Sequence, residues 1–115
     1  MYDDGQALVV YRARDQVENE EWLARLQQAA DRLDLDTASR SRAADLFLST
    51  VAETKATEDR SKRAVAAASL YAGSLIEGDQ RSQQAVADAV GVARLTIQQR
   101  WKSILEEAGL EPPSW

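Results

Sequence analysis

The chain has 115 residues, room for a single folded unit, and its 44% hydrophobic and 29% charged residues fit an ordinary globule rather than a disordered tail. It contains neither Cys nor His, which excludes disulfides, zinc fingers, Cys or Ser-His nucleophilic sites and most transition-metal centres, so no enzyme, cofactor or metal is expected. A net charge of −5 speaks at first against nucleic acid, and the absence of a membrane-length apolar run or a basic signal sequence points to a cytoplasmic protein without membrane contact.

Residues 1–16 carry the strand-like run Ala7-Leu8-Val9-Val10-Tyr11 in a chain otherwise patterned for helices. A lone strand has nothing to pair with, so this segment reads as an N-terminal arm, either disordered or extended. From Val17 to Leu33, Trp22, Leu26, Ala29, Ala30 and Leu33 recur every three or four residues behind Glu18, Glu20 and Glu21, whose charge suits a helix start. Asp36 or Thr37 can cap a second helix with Ala43, Phe47 and Val51 inward, ending between Thr54 and Thr57.

The third segment, Ser61 to Glu77, is apolar or small on nearly every face, the pattern of a helix surrounded by others. Gly78-Asp79 breaks it. Ser82 then caps a short fourth helix with Val86, Ala87 and Val90 inward, and Gly91 ends it by accepting positive φ. A fifth helix from Ala93 to Glu107 has Ile97, Trp101, Ile104, Leu105 and Ala108 on its buried side. Residues 111–115 form a tail.

The acidity is unevenly spread. Residues 1–59 carry a balance of −6, whereas residues 60–102 carry +4. The arginine-rich, alanine-rich and acidic composition is also the one expected of a GC-rich, salt-adapted source.

Ala87, Gly91, Val92 and Ile97 have the spacing of a helix-turn-helix, in which a small residue permits close crossing, glycine makes the turn, and Val and Ile seal the angle. Outside its apolar stripe the last helix offers Arg94, Thr96, Gln98, Gln99, Arg100 and Lys102, with no acidic residue until Glu106. Arg and Gln can each make paired hydrogen bonds to base edges, and Thr can reach a base or a thymine methyl. Arg81, Ser82, Gln83 and Gln84 open the preceding helix, where amides and a cation can hold phosphate. Arg60, Lys62 and Arg63 crowd the start of the third helix, where the dipole disfavours cations, and read as a secondary contact. The pairs Glu20-Glu21 and Glu106-Glu107 read as surface charge, and Trp22, Tyr71 and Trp101 as core.

The run Arg60-Ser61-Lys62-Arg63-Ala64-Val65-Ala66-Ala67-Ala68-Ser69-Leu70-Tyr71, followed by Glu77-Gly78 and Arg81-Ser82-Gln83, resembles one cyclin-like repeat of the archaeal transcription factor B family, relatives of eukaryotic general transcription factor IIB. Ala87, Gly91-Val92, Leu95-Thr96-Ile97 and Arg100-Trp101 resemble the closing helix-turn-helix of that repeat, so the likeness spans about residues 17–110. It implies an all-α, five-helix cyclin-like bundle with a central third helix, whose last helix enters the major groove beside the TATA element. Carried over by position, the base-reading places fall on Leu95 and Gln98, with Thr96 and Arg100 nearby. Gln98 stands where the family often has a basic residue.

A Cys-free chain of this length cannot supply the zinc ribbon and the second repeat that family members typically add. Two expectations follow, a domain cut from a longer protein or a stand-alone single-repeat regulator, and the end at Pro112-Pro113-Ser114-Trp115 favours the second. Its expected partners are double-stranded DNA, the TATA-binding protein or other basal transcription proteins, and a second copy of itself that would restore two repeats. On this reading Arg94, Leu95, Thr96, Gln98 and Gln99 face bases, while Arg81, Ser82, Gln83, Gln84, Arg100 and Lys102 face phosphate. The competing expectation is a module that docks onto the basal transcription machinery without reading DNA.

Overall fold

The computed structural model describes residues 19–54 and 58–113. The expected arm at residues 1–16, the start of the first helix at Val17 and the last residue of the tail, Trp115, lie outside them. Among the described residues there are five helices and no strand: α1 (Glu20–Arg32), α2 (Thr37–Thr54), α3 (Asp59–Ile76), α4 (Gln83–Val90) and α5 (Arg94–Glu107). The chain is thus all-α, with the order of elements the sequence pattern gives.

Each start and stop has a local cause. Glu20 and Glu21 occupy the first turn of α1 and Arg32 its last, complementing the helix dipole at both ends. Of the two cap candidates for α2, Asp36 does the work: its Oδ1 accepts the Ser39 amide at 2.8 Å. Helix α3 begins at Asp59, earlier than the expected Ser61, because an acid in the first turn favours extension toward it. The Ser82 hydroxyl accepts the Ala85 amide at 3.0 Å and caps α4.

Helix α3 is the hub. Every residue from Ala64 to Ser74 is buried, and α3 packs against all four other helices. It comes closest to α2, where Gly73 lies so near Ala43 that a Cβ at position 73 would sit 2.8 Å from the Ala43 backbone nitrogen. On its other side Tyr71 meets Trp101 of α5 edge to face, with ring centroids 5.4 Å apart at an interplanar angle of 75°. Trp22, Leu26, Phe47, Leu70, Val86, Ile97, Trp101 and Leu105 join one continuous core.

Two expected core positions differ. Ala108 is exposed rather than on the buried side of α5, because the helix ends at Glu107. Gly109, at φ +77°, then turns the chain so that Leu110 packs against the core in its place. Val90 is half-buried, since it ends α4 at the molecular surface.

Candidate nucleic-acid interface

The α4–turn–α5 segment is set by Gly91. At φ +87° it lets the amides of Gly91 and Val92 both reach the Ala87 carbonyl, at 2.8 and 3.0 Å, which closes α4 and redirects the chain. Two guanidiniums from elsewhere in the fold hold this end. Arg32 of α1 donates to the Ala89 carbonyl at 2.9 Å, and Arg63 of α3 donates to the Val90 carbonyl at 3.3 Å. Sequence reasoning did not single out Arg32, and it read Arg63 as a secondary contact rather than as a support for the end of α4. The carbonyls they meet lie 57 and 27 residues away along the chain.

Helical periodicity divides α5 into two faces. Ile97, Trp101, Ile104 and Leu105 are buried, whereas Arg94, Leu95, Gln98, Gln99 and Arg100 are exposed and Thr96 is half-buried. Leu95, at 57% exposure, is the exposed large hydrophobic residue among the described residues. Acidic side chains on α5 are confined to its far end, at Glu106 and Glu107.

The structure brings the third-helix cations to this helix. Arg60 and Arg63 line a groove of about 530 Å³ together with Thr96, Gln99 and Arg100, and no carboxylate of the described residues lines it. Helices α3 and α5 thus share one polar, positively charged surface, although their residues are over thirty positions apart. Lys62 is half-buried and lies outside this lining.

The remaining site candidates have internal work as well. Gln83 accepts a bond from Arg94 at 3.3 Å, linking the starts of α4 and α5. Gln84 donates to Asp88 at 2.9 Å, and Ser82 is the α4 cap. The Lys102 ammonium lies 5.5 Å from the centre of the Trp101 ring, a cation–π arrangement that draws it toward the helix surface.

Arg81 is the most occupied candidate. It donates to the carbonyls of Leu33 and Asp34, at 2.9 and 3.0 Å, and to Asp79 Oδ1 at 2.8 Å. Asp79 Oδ2 in turn accepts the Asp36 amide at 3.0 Å. First that amide and then Arg81 hold the Asp79 carboxyl below the usual carboxylate range. This clasp joins the α1–α2 turn to the α3–α4 turn, and so fixes where α4 begins.

Among the described residues no cluster of His, Cys, Asp or Glu is arranged for a metal ion, and no helix is long and apolar enough to cross a membrane. Comparison with known proteins points one way. The family model described as the transcription factor TFIIB repeat matches residues 17–107. The transcription initiation factor IIB of Archaeoglobus fulgidus is 41% identical over 59 residues, which cover 51% of this chain and 18% of that protein. Its counterpart in Pyrococcus abyssi is 34% identical over 84 residues, covering 73% and 28% respectively. That of Methanothrix thermoacetophila is 41% identical over 65 residues, covering 56% and 19%. The matched stretches thus cover between 18% and 28% of the length of these relatives.

Proposed function

Because the chain belongs to the transcription factor TFIIB repeat family, we propose that it is a DNA-binding transcription factor whose α4–turn–α5 segment works as a helix-turn-helix on promoter DNA. Its family consists of transcription factors, not enzymes. The observation that carries the proposal is the outer face of α5, where Arg94, Leu95, Gln98, Gln99 and Arg100 are exposed together, with acidic residues confined to the far end.

In a major groove, Gln98 can pair with an adenine edge and Arg94 with a guanine, while Leu95 and Thr96 offer apolar contact to a thymine methyl. Arg100, Arg60 and Arg63 border the groove beside the helix and supply charge for the flanking phosphates. Ser82, Gln83, Gln84, Lys102 and the already engaged Arg81 complete the phosphate-facing set. The TATA-binding protein or another basal transcription protein is the proposed protein partner, and pairing of two copies is the proposed route to a tandem arrangement.

Two substitutions separate reading from attraction. Gln98→Ala should remove about 1–3 kcal/mol of preference for the promoter over a scrambled duplex. Lys102→Ala should weaken both duplexes alike. Fluorescence anisotropy on the two DNAs measures both effects. If neither substitution alters an observed DNA affinity, α5 is not the reading helix, and docking onto the transcription machinery without DNA readout becomes the better account.

A further inference from the structure

Helix α4 has eight residues, about 12 Å of helix, and both of its ends are tied to the end of α1. The ties are reciprocal. Arg81, just ahead of α4, donates to the carbonyls of Leu33 and Asp34 that follow α1, while Arg32, the last residue of α1, donates to the Ala89 carbonyl near the end of α4 at 2.9 Å.

The second tie answers a need. A helix leaves its last carbonyls without partners inside the helix and with a partial negative charge that a cation offsets. The last turn of α4 has no basic residue of its own, and it carries Asp88. The turn amides of Gly91 and Val92 take up the Ala87 carbonyl, while Ala89 is met by Arg32 and Val90 by Arg63.

Of these two guanidiniums, Arg63 also lines the groove shared with Thr96 and Arg100. Arg32 lies outside that lining, and α1, which carries it, does not pack on α5. Any influence of Arg32 on α5 therefore passes through α4. The connection leaves little slack, since only residues 91–93 separate the two helices. A recognition surface has to be held within about 0.5 Å of its productive geometry, a tolerance that a frayed helix end exceeds.

We infer that Arg32 is a positioning residue for DNA reading: by capping α4 from α1 it fixes the entry of α5, and with it the register of Arg94, Leu95 and Gln98 on the bases. This rests on the DNA reading proposed above and extends that site to a helix outside the helix-turn-helix.

The test uses the full chain with three substitutions. Arg32→Met keeps the aliphatic stem and removes the donors. Arg32→Lys keeps a charged donor. Arg25→Met makes the same charge change two turns earlier on α1, where Arg25 bonds to Glu21 and lies over the Trp22 ring rather than bonding to α4. Fluorescence anisotropy with labelled promoter and scrambled duplexes across a salt series reads the outcome. Arg32→Met should lower the promoter-to-scrambled affinity ratio by about fivefold, with the salt slope unchanged because no phosphate contact is lost. Arg32→Lys should recover most of the ratio, and Arg25→Met should leave ratio and slope at their wild-type values. A role confined to stability would weaken both duplexes together and leave the ratio intact.

Hydrogen exchange gives a reading free of DNA: the amides of Gly91 and Val92 should exchange faster in Arg32→Met than in wild type or Arg25→Met. With a wild type that prefers the promoter, an unchanged ratio in Arg32→Met, a shallower salt slope in that variant, an equal loss in Arg25→Met, or unaltered exchange at Gly91 and Val92 would each overturn the assignment and leave the DNA reading in place. A wild type without promoter preference would overturn the reading itself, and the assignment with it.

Discussion

The α2–α3 pair and the α4–α5 pair are both two consecutive helices joined by a short connection, yet they use their surfaces in opposite ways. Helix α3 is buried on every side along Ala64 to Ser74 and meets α2 through Gly73 and Ala43, where backbones rather than side chains make the contact. Helix α5 commits one stripe to the core and leaves Arg94, Leu95, Gln98 and Gln99 in solvent. Along that surrounded stretch α3 can only be structure, and it reaches a surface groove through Arg60 and Arg63 at its start. A helix that is half buried can hold its exposed side chains in fixed register for a partner, because the buried half removes its freedom to rotate.

Substitutions should follow this division. The largest expected effect is at the seam between the two pairs. Trp101→Ala removes a ring that is 2% exposed and packs on Tyr71, so chemical denaturation should show a loss of about 3–5 kcal/mol. Gly73→Ala should cost about 1–3 kcal/mol, since the added methyl meets the Ala43 backbone and one helix must shift. Gly73→Ala, which lies away from α5, should lose DNA affinity only in proportion to the unfolded fraction.

Gly91→Ala acts differently. Around a new Cβ the nearest neighbour is Arg63 Nη1 at 3.7 Å, so crowding is not the problem and the cost is the positive φ, about 1–2 kcal/mol. Because this strain falls on the α4–α5 turn, DNA affinity should drop even where the protein remains folded. Equal DNA affinity in a folded Gly91→Ala variant would break the link between turn geometry and reading.

The smallest effect concerns the Asp79 clasp. A carboxyl whose folded pKa is depressed stabilises the fold above its unfolded pKa, and the contribution is lost as pH falls through the folded value. Asp79→Asn should therefore lower the melting temperature modestly at neutral pH, and the difference from wild type should shrink in acid below the ordinary carboxylate pKa. A gap that widens on acidification would contradict the clasp.

Much of the fold was legible because its signals are local. Ser82 and Gly91 mark the two ends of α4 through side-chain capping and positive φ, and the uninterrupted small and apolar run of α3 announces its central place. Ala108 was misjudged because periodicity continues past the residue where the helix stops; Gly109, which accepts positive φ, was the available clue. The exposed face of α5 was visible as polar positions between Ile97, Trp101 and Ile104, with no acidic residue before Glu106. Arg60 and Arg63 were legible only as a secondary contact; that they line one groove with Thr96 and Arg100 shows only after α3 and α5 pack together. The internal duties of Arg81 and Arg32 were hidden for the same reason: their carbonyl partners carry no side-chain signature in the sequence.

The most direct test of the central claim is the salt dependence of wild-type affinity for a labelled promoter duplex and a scrambled one. If the α5 face and its flanking arginines engage DNA, binding of both should weaken steeply with salt, with a log–log slope of about −0.9 for each neutralised phosphate, while the promoter stays tighter throughout. Absence of binding at low salt, or an affinity indifferent to both salt and sequence, would contradict the account.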